Sequence, residues 1–192
     1  MAQLDYTNYF WASEKVRLRG LTANDAESTF ANSLDSPGRQ VLQLGVELPT
    51  SVEAVRAELE KRANCRDVDG VIVFAIENQE GACVGGVSLH TPSLKNGTFG
   101  FGVNIHLPHR GKGYATDAVR ILLRYCFHER RFQKCNSACV ETNTASIALH
   151  EKLGFVEEGR RRRHLFLSGR FYDDILFGLT REEFDESLAR QS

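Results

Sequence analysis

The chain has 192 residues, 42% hydrophobic and 26% charged, enough apolar material for one packed core of ordinary domain size and too much for a disordered chain. Twenty-four lysines and arginines against 25 aspartates and glutamates leave a formal net charge of −1, which excludes a global basic field for nucleic acid or anionic membrane and leaves anion binding to a local site. No stretch approaches the roughly 18 consecutive apolar residues of a spanning helix, the first 19 residues lack a secretory layout, and Cys65, Cys83, Cys126, Cys135 and Cys139, odd in number with no C-x-x-C pair, suit reduced thiols of the cytoplasm or the nucleus.

Residues 1–14 read as an N-terminal extension, 15–180 as one domain and 181–192 as a charged, frayed tail. Residues 15–19 alternate polar and apolar as a half-buried strand does. Thr22 caps a helix whose inner face is Ala26, Phe30, Ala31 and Leu34, ending before the turn cluster Ser36-Pro37-Gly38. Thr50 with Glu53 forms a capping-box pattern for a second helix, with Val52, Val55 and Leu59 on one side.

Residues 71–76, 82–90 and 98–106 are three strands of an antiparallel meander, separated by turn chemistry at 78–81 and 91–97. Gly100 and Gly102 inside the third strand signal a bulge or a close backbone approach. Ala115, Ala118, Val119, Leu122, Leu123, Cys126 and Phe127 recur at helical spacing through 113–130. A strand over 132–140 takes Cys135 and Cys139 as small apolar residues, since no zinc spacing accompanies them. Asn143 caps a short helix that Gly154 stops, and 160–166 with 171–179 form a hairpin around Ser168-Gly169.

The segment 103–116 runs from a strand through a glycine loop into the long helix. Exposed amides at a helix N-terminus, flanked by Arg110 and Lys112, suit a phosphate or pyrophosphate; a plain strand-to-helix turn is the competing reading. The Walker pattern and the third glycine of a dinucleotide fingerprint are both absent.

Arg110-Gly-Lys-Gly-Tyr-Ala115 resembles the acetyl-CoA signature of the GNAT superfamily of N-acetyltransferases. The segment from Asn143 to Leu153-Gly154-Phe155 resembles that superfamily's later motif. Arg17-Leu-Arg19, Val84-Gly85-Gly86-Val87-Ser88 and Phe171-Tyr-Asp-Asp-Ile-Leu176 are similar to the subgroup containing ribosomal-protein N-terminal acetyltransferases. The resemblance spans 17–179 and implies an α/β fold, a largely antiparallel mixed sheet flanked by helices and splayed between its fourth and fifth strands to admit acetyl-CoA.

Carried over by residue, the resemblance gives Val103 and Ile105 to the pantetheine arm, with Gly100 and Gly102 clearing its path. It gives the amides of Gly111, Gly113, Ala115 and Thr116, with Arg110, Lys112 and Tyr114 of the same motif, to the pyrophosphate, and Asn143 to the cofactor's other side. The Ile105 N–H would stabilise the oxyanion. Direct attack by an amine is implied, with no metal and no covalent enzyme intermediate. His150 stands where most relatives have tyrosine and would protonate the leaving thiolate if its pKa lies near 6.5; Ser146 is the alternative acid.

The glutamate positions of the family hold Phe99 and Ala138, so Glu77, Glu141 and Asp174 remain as base candidates, each also readable as solvated surface. A site so equipped suits an α-amine near pKa 7.7–8.0 better than a lysine-type amine near 10.4. The acceptor classes left open are a protein or peptide N-terminus and a small-molecule amine such as a polyamine, amino sugar or drug; a non-catalytic acyl-CoA-binding module is the competing class. The run from Arg160 to Arg163 reads as a strand with alternate residues in solvent more readily than as a nucleic-acid site. A monomer and a homodimer paired through the last hairpin are both compatible with the pattern.

Overall fold

The computed structural model describes residues 6–42, 45–46, 48–63 and 71–190. Cys65 and the first five residues of the N-terminal extension lie outside the described residues.

Seven strands form one sheet in the order β1 (Val16–Arg19), β2 (Ile72–Asn78), β3 (Cys83–Ser93), β4 (Thr98–Ile105), β5 (Lys134–Val140), β7 (Arg170–Thr180) and β6 (Val156–Leu167). Every neighbouring pair is antiparallel except β4 and β5. Those two run parallel and pair only where Thr98, Phe99 and Gly100 face Lys134, Cys135 and Asn136. Beyond Gly100 they part, while β5 stays paired with β7 along its whole length. The expected α/β architecture and the split between the fourth and fifth strands are both present.

One face of the sheet is covered by α4 (Tyr114–Arg124), whose Ala118, Val119, Ile121, Leu122 and Leu123 are buried as the helical period demands. The chain continues through a wide turn at Tyr125–Glu129 that buries Cys126 and Phe127. Alongside lies α5 (Thr144–Leu153), capped by Asn143 Oδ1, which accepts from the Ser146 amide at 3.1 Å, and closed by Gly154. The other face carries α1 (Ala26–Ser33), α2 (Ser36–Val41) and α3 (Val52–Ala63). Among the described residues no helix is long and apolar enough to cross a membrane.

Several local expectations are corrected. The Ser36-Pro37-Gly38 cluster opens the short helix α2 instead of a turn, because Asp35 accepts from the Gly38 amide at 3.1 Å and proline is tolerated in a first helical turn. Ser51, not Thr50, caps α3, accepting from the Ala54 amide at 3.2 Å. On α1, Ala31 is exposed and Leu34 is 68% exposed, while Ala26 and Asn32 are buried. All four residues from Arg160 to Arg163 are exposed, where alternation was expected, because β6 loses register with β7 between Arg161 and Leu165.

The C-terminal segment is not frayed. Thr180 and Glu183 form a capping box for α6 (Arg181–Ala189), a T-x-x-E signal that the charged composition obscured. Phe184 on this helix is 1% exposed and packs on Phe127 with ring centroids 5.4 Å apart. Replacing Phe184 by Ala should therefore destabilise the domain by about 3–5 kcal/mol, and Thr180→Ala by about 1 kcal/mol, in urea unfolding; a loose tail would leave both midpoints unchanged.

Candidate active site

The split leaves a strand edge without a strand partner. In an antiparallel pair alternate residues direct their backbone groups at the neighbour, and the His106 amide donates to Val84 O at 2.9 Å. The same alternation turns Gly102 and Asn104 toward β3, and Phe101, Val103 and Ile105 toward β5, which has already diverged. Backbone N–H and C=O groups of this strand thus face the opening, where an extended amide-bearing chain can pair with them.

At the end of β4 the loop of residues 106–113 turns into α4. Gly111 has φ 79° and Gly113 has φ 84°, left-handed conformations that glycine adopts without a Cβ penalty. The Asp117 amide bonds back to Gly113 O at 3.3 Å, so the amides of Tyr114, Ala115 and Thr116 belong to the orphan donors of a helix start. Lys15, which sequence reasoning passed over, places Nζ 3.0 Å from where a Gly113 Cβ would stand. It joins exposed Lys112 in making the helix N-terminus cationic. Its position comes from the strand β1 pairing with β2, a contact that no local motif could reveal.

A cavity of about 1110 Å³ occupies the opening and the face beneath α1 to α3. Val103, Asn143, Ser146 and His150 line it, together with Ser88 of the β3 motif and with His90, Asn104 and Ser137, to which the sequence assigned no role. Ile105 and the loop from Arg110 to Thr116 lie outside the lining, at the end of β4. Asn32 Oδ1 and Asn104 Oδ1 are buried without a hydrogen-bond partner among the described residues, and both residues line the cavity. Among the described residues its charged lining is Arg39, Arg62 and Glu58, with the Glu58 carboxylate accepting from Arg62 Nε at 2.8 Å.

Two of the proposed cofactor residues are engaged by α2. Arg110 Nη2 meets Asp35 Oδ2 at 2.7 Å, and its Nε donates to Ile105 O at 3.0 Å. Asn143 Nδ2 donates to Val41 O at 3.2 Å. The short helix therefore reaches both sides of the split. Adding to this tie, Ser168 Oγ donates to Gln40 Oε1 at 2.9 Å from the β6–β7 turn.

His150 is 2% exposed, stacked on Phe177 at 4.5 Å and bordered by Phe101 and Phe155. Its Nδ1 lies 2.7 Å from the Ser146 carbonyl, which can only accept, so Nδ1 carries the proton. Nε2 then accepts from Ser137 Oγ at 2.8 Å. Burial pushes the imidazole pKa below its ordinary value. That direction runs against the imidazolium that the sequence reading asked of His150. The protons at hand are those of neutral groups: Nδ1–H, the Ser137 hydroxyl and the Ser146 hydroxyl 3.4 Å from Nδ1.

The three carboxylates considered as bases are engaged elsewhere. Glu77 is buried and ion-paired with Arg17 and Arg19, Asp174 is buried and paired with Arg161, and Glu141 Oε1 accepts from the Asp173 amide at 2.9 Å. Solvated surface was thus also the wrong alternative for Glu77 and Asp174. Among the described residues no cluster of three or more metal-ligating side chains occurs.

A model of the acetyltransferase (GNAT) domain matches residues 15–156. The SPbeta prophage-derived uncharacterized N-acetyltransferase YokL of Bacillus subtilis is 35% identical over 176 residues, covering 92% of this chain and 96% of YokL. The putative ribosomal N-acetyltransferase YdaF of the same species is 27% identical over 176 residues, covering 90% and 95%. In fold, the chain is similar to the spermidine N-acetyltransferase from Vibrio cholerae solved in complex with CoA and spermine. That likeness has a TM-score of 0.76 at 20% identity and covers 90% of this chain and 99% of the other.

Because burial lowers the pKa of His150 and also that of His106, the unfolded chain takes up these protons first as pH falls. Stability present above about pH 6.5 is withdrawn below it. His150→Phe keeps a ring against Phe177 and should make the loss between about pH 7 and 5 shallower, with the share of His106 remaining. Urea unfolding at both pH values checks this; an unchanged slope would mean that His150 protonates equally in both states.

Proposed function

The chain belongs to the acetyltransferase (GNAT) domain family, and from that premise we propose that it transfers the acetyl group of acetyl-CoA directly to a primary amine, with a peptide or protein N-terminal α-amine as the acceptor class. The observation that carries the cofactor reading is the open β4 edge, continuous with the glycine loop and the N-terminus of α4. Acetyl-CoA supplies a thioester activated toward attack by nitrogen. Val103 and Ile105 would pair with the pantetheine amides along the open edge, and an N–H of that edge on the cavity side would meet the developing oxyanion. The amides from Gly111 to Thr116, with Lys15, Arg110 and Lys112, would hold the pyrophosphate. Asn143 would contact the cofactor from the β5 side, and α2 must yield Arg110 and Asn143 for that. On the α5 side the Ser146 hydroxyl, beside the neutral His150 ring, would hydrogen-bond the leaving sulfur and relay to it a proton drawn from water.

The cavity's charge supports the acceptor class. A polyamine carries several cations that need carboxylates, yet the described lining offers two arginines and a Glu58 already bonded to Arg62. The Asn32 and Asn104 oxygens, without a hydrogen-bond partner among the described residues, suit the N–H donors of a single amine. An α-amine near pKa 7.7–8.0 is also about a tenth free base at pH 7, so less proton removal is asked of the site. We assign the enzyme to a reducing compartment such as the cytoplasm: Cys83, Cys126, Cys135 and Cys139 are unlinked thiols, and burial pushes Cys126 up to about 12.

Thiol release from acetyl-CoA should be faster with tripeptide amides bearing a free α-amine than with spermidine, by about tenfold or more in kcat/KM. Preference for spermidine would overturn the acceptor class, and acetyl-CoA binding with no turnover of any amine would overturn the enzyme in favour of a binding module. Gly113→Asp introduces a carboxylate at the proposed pyrophosphate site and should weaken acetyl-CoA binding by about tenfold or more, in a protein that still unfolds cooperatively despite the left-handed backbone at this position; unchanged affinity by calorimetry would remove the loop from the cofactor site.

A further inference from the structure

The register of β3 against β4 breaks between His90 and Ser93. Thr91, at the break, has φ 48°, a conformation unusual for a β-branched residue. Such irregularities bend a strand and re-aim its side chains. The side chain concerned here is that of His90, which lies across β4. A Cβ on Gly100 would stand 2.7 Å from His90 Cε1 and 2.9 Å from Nδ1, and one on Gly102 would stand 3.9 Å from Nε2. The sequence reading gave these glycines to the passage of the pantetheine arm; the imidazole from the neighbouring strand accounts for Gly100 directly.

Residues directly opposite in a sheet share a face. His90 opposes Gly100 and Ser88 opposes Gly102, and all of these except Gly100 line the cavity on the side of α1 and α3. An amine entering beneath those helices meets this face, while Ser137 and the buried His150 belong to the α5 side of the split. Among the described lining residues the other groups that could take its proton are committed: the buried His106 ring is hydrogen-bonded to the Cys83 backbone. Glu58 is bonded to Arg62, and both ring nitrogens of His150 are in hydrogen bonds. His90 Nδ1 rests 3.3 Å from Thr91 Oγ1, which leaves Nε2 on the Gly102 side.

We propose that His90 is the general base of the acyl transfer, its Nε2 taking the proton of the acceptor amine as the N–C bond forms. The inference rests on the acetyltransferase reading above. The amine lone pair makes the new bond and the carbonyl π pair moves to oxygen as the proton passes to Nε2. Collapse of the oxyanion breaks the C–S bond, and the sulfur leaves as thiolate and takes a proton from the α5 side or from water. His90 then returns its proton to solvent. The net change is amine plus thioester to amide plus thiol, with no other reactant.

The test uses the full chain, acetyl-CoA and Ala-Ala-Ala amide. His90→Ala should lower kcat by about 100-fold or more, the usual range for a positioned base, with acetyl-CoA affinity by calorimetry held within about twofold. Added imidazole should restore about tenfold of the loss in His90→Ala but not in His90→Ala/Gly100→Ala, where the new methyl fills the vacated slot. Gly100→Ala alone displaces the ring and should depress kcat, while adding it to His90→Ala should depress the unrescued rate no further.

Independently of turnover, diethyl pyrocarbonate should modify His90 in the cofactor-free protein, read by mass spectrometry, and CoA with the peptide should protect it. Near-parental kcat in His90→Ala overturns the proposal, and so does a loss that imidazole leaves unrestored in a folded protein, or modification that the ligands do not prevent. His90→Gln, closer in volume, replaces the alanine variant if the latter fails to fold. A parent enzyme inactive toward every amine strikes the acetyltransferase reading itself, whereas an active parent with an equally active His90 variant strikes only the base.

Discussion

The short parallel register between β4 and β5 governs the rest of the molecule. Three residue pairs hold the strands together at Thr98–Gly100, and past that point backbone polar groups stand in the interior without strand partners. Leaving such groups unsatisfied is unfavourable by several kcal/mol in apolar surroundings, so the fold must keep the opening wet or filled. It does so by holding the two halves of the sheet from outside. The α4 helix buttresses β1 to β4, and β5 is carried by full-length pairing with β7. An amide-rich arm inserted there completes a sheet that the chain by itself cannot complete.

The α5 side of the opening is built around an aromatic cluster with one imidazole in it. Phe101, Phe155 and Phe177 surround His150, and the two hydrogen bonds to Ser137 and the Ser146 carbonyl satisfy both of its nitrogens. This environment favours the neutral ring and fixes its tautomer. The same residue thus serves as packing and as a neutral hydrogen-bonding link, two roles that a sequence comparison with tyrosine-bearing relatives does not separate.

What was legible in the sequence is what local patterns encode. The apolar period of α4, the turn chemistry that separates β2, β3 and β4, the Asn143 cap and the glycine loop each report on their own segment, and each was placed correctly. Residues brought to the site by pairing over long separations were not legible: Lys15 reaches Gly113 through β1, Ser137 reaches His150 across the β5–α5 connection, and His90 reaches Gly100 across the β3–β4 pairing. The glycines did leave a trace, since two in one strand announced a close approach, but a single sequence could not say what approached. Composition misled at the C-terminus, where charge concealed a capping box and a buried phenylalanine.

The arginine run on β6 bears on assembly. β6 is the outermost strand of the sheet, and an outermost strand offers its open backbone groups to any other chain. Here that edge carries Arg160 to Arg163 in solvent, with Phe166 and Phe171 beside them at 62% and 53% exposure. Two copies aligned antiparallel about a twofold axis through this run would set guanidinium against guanidinium, and like charges placed opposite one another disfavour strand pairing. With Arg160 paired to Glu157 and Arg161 to Asp174, the excess positive charge of the run sits at Arg162 and Arg163, and it is this remainder that guards the edge against growth into a larger sheet.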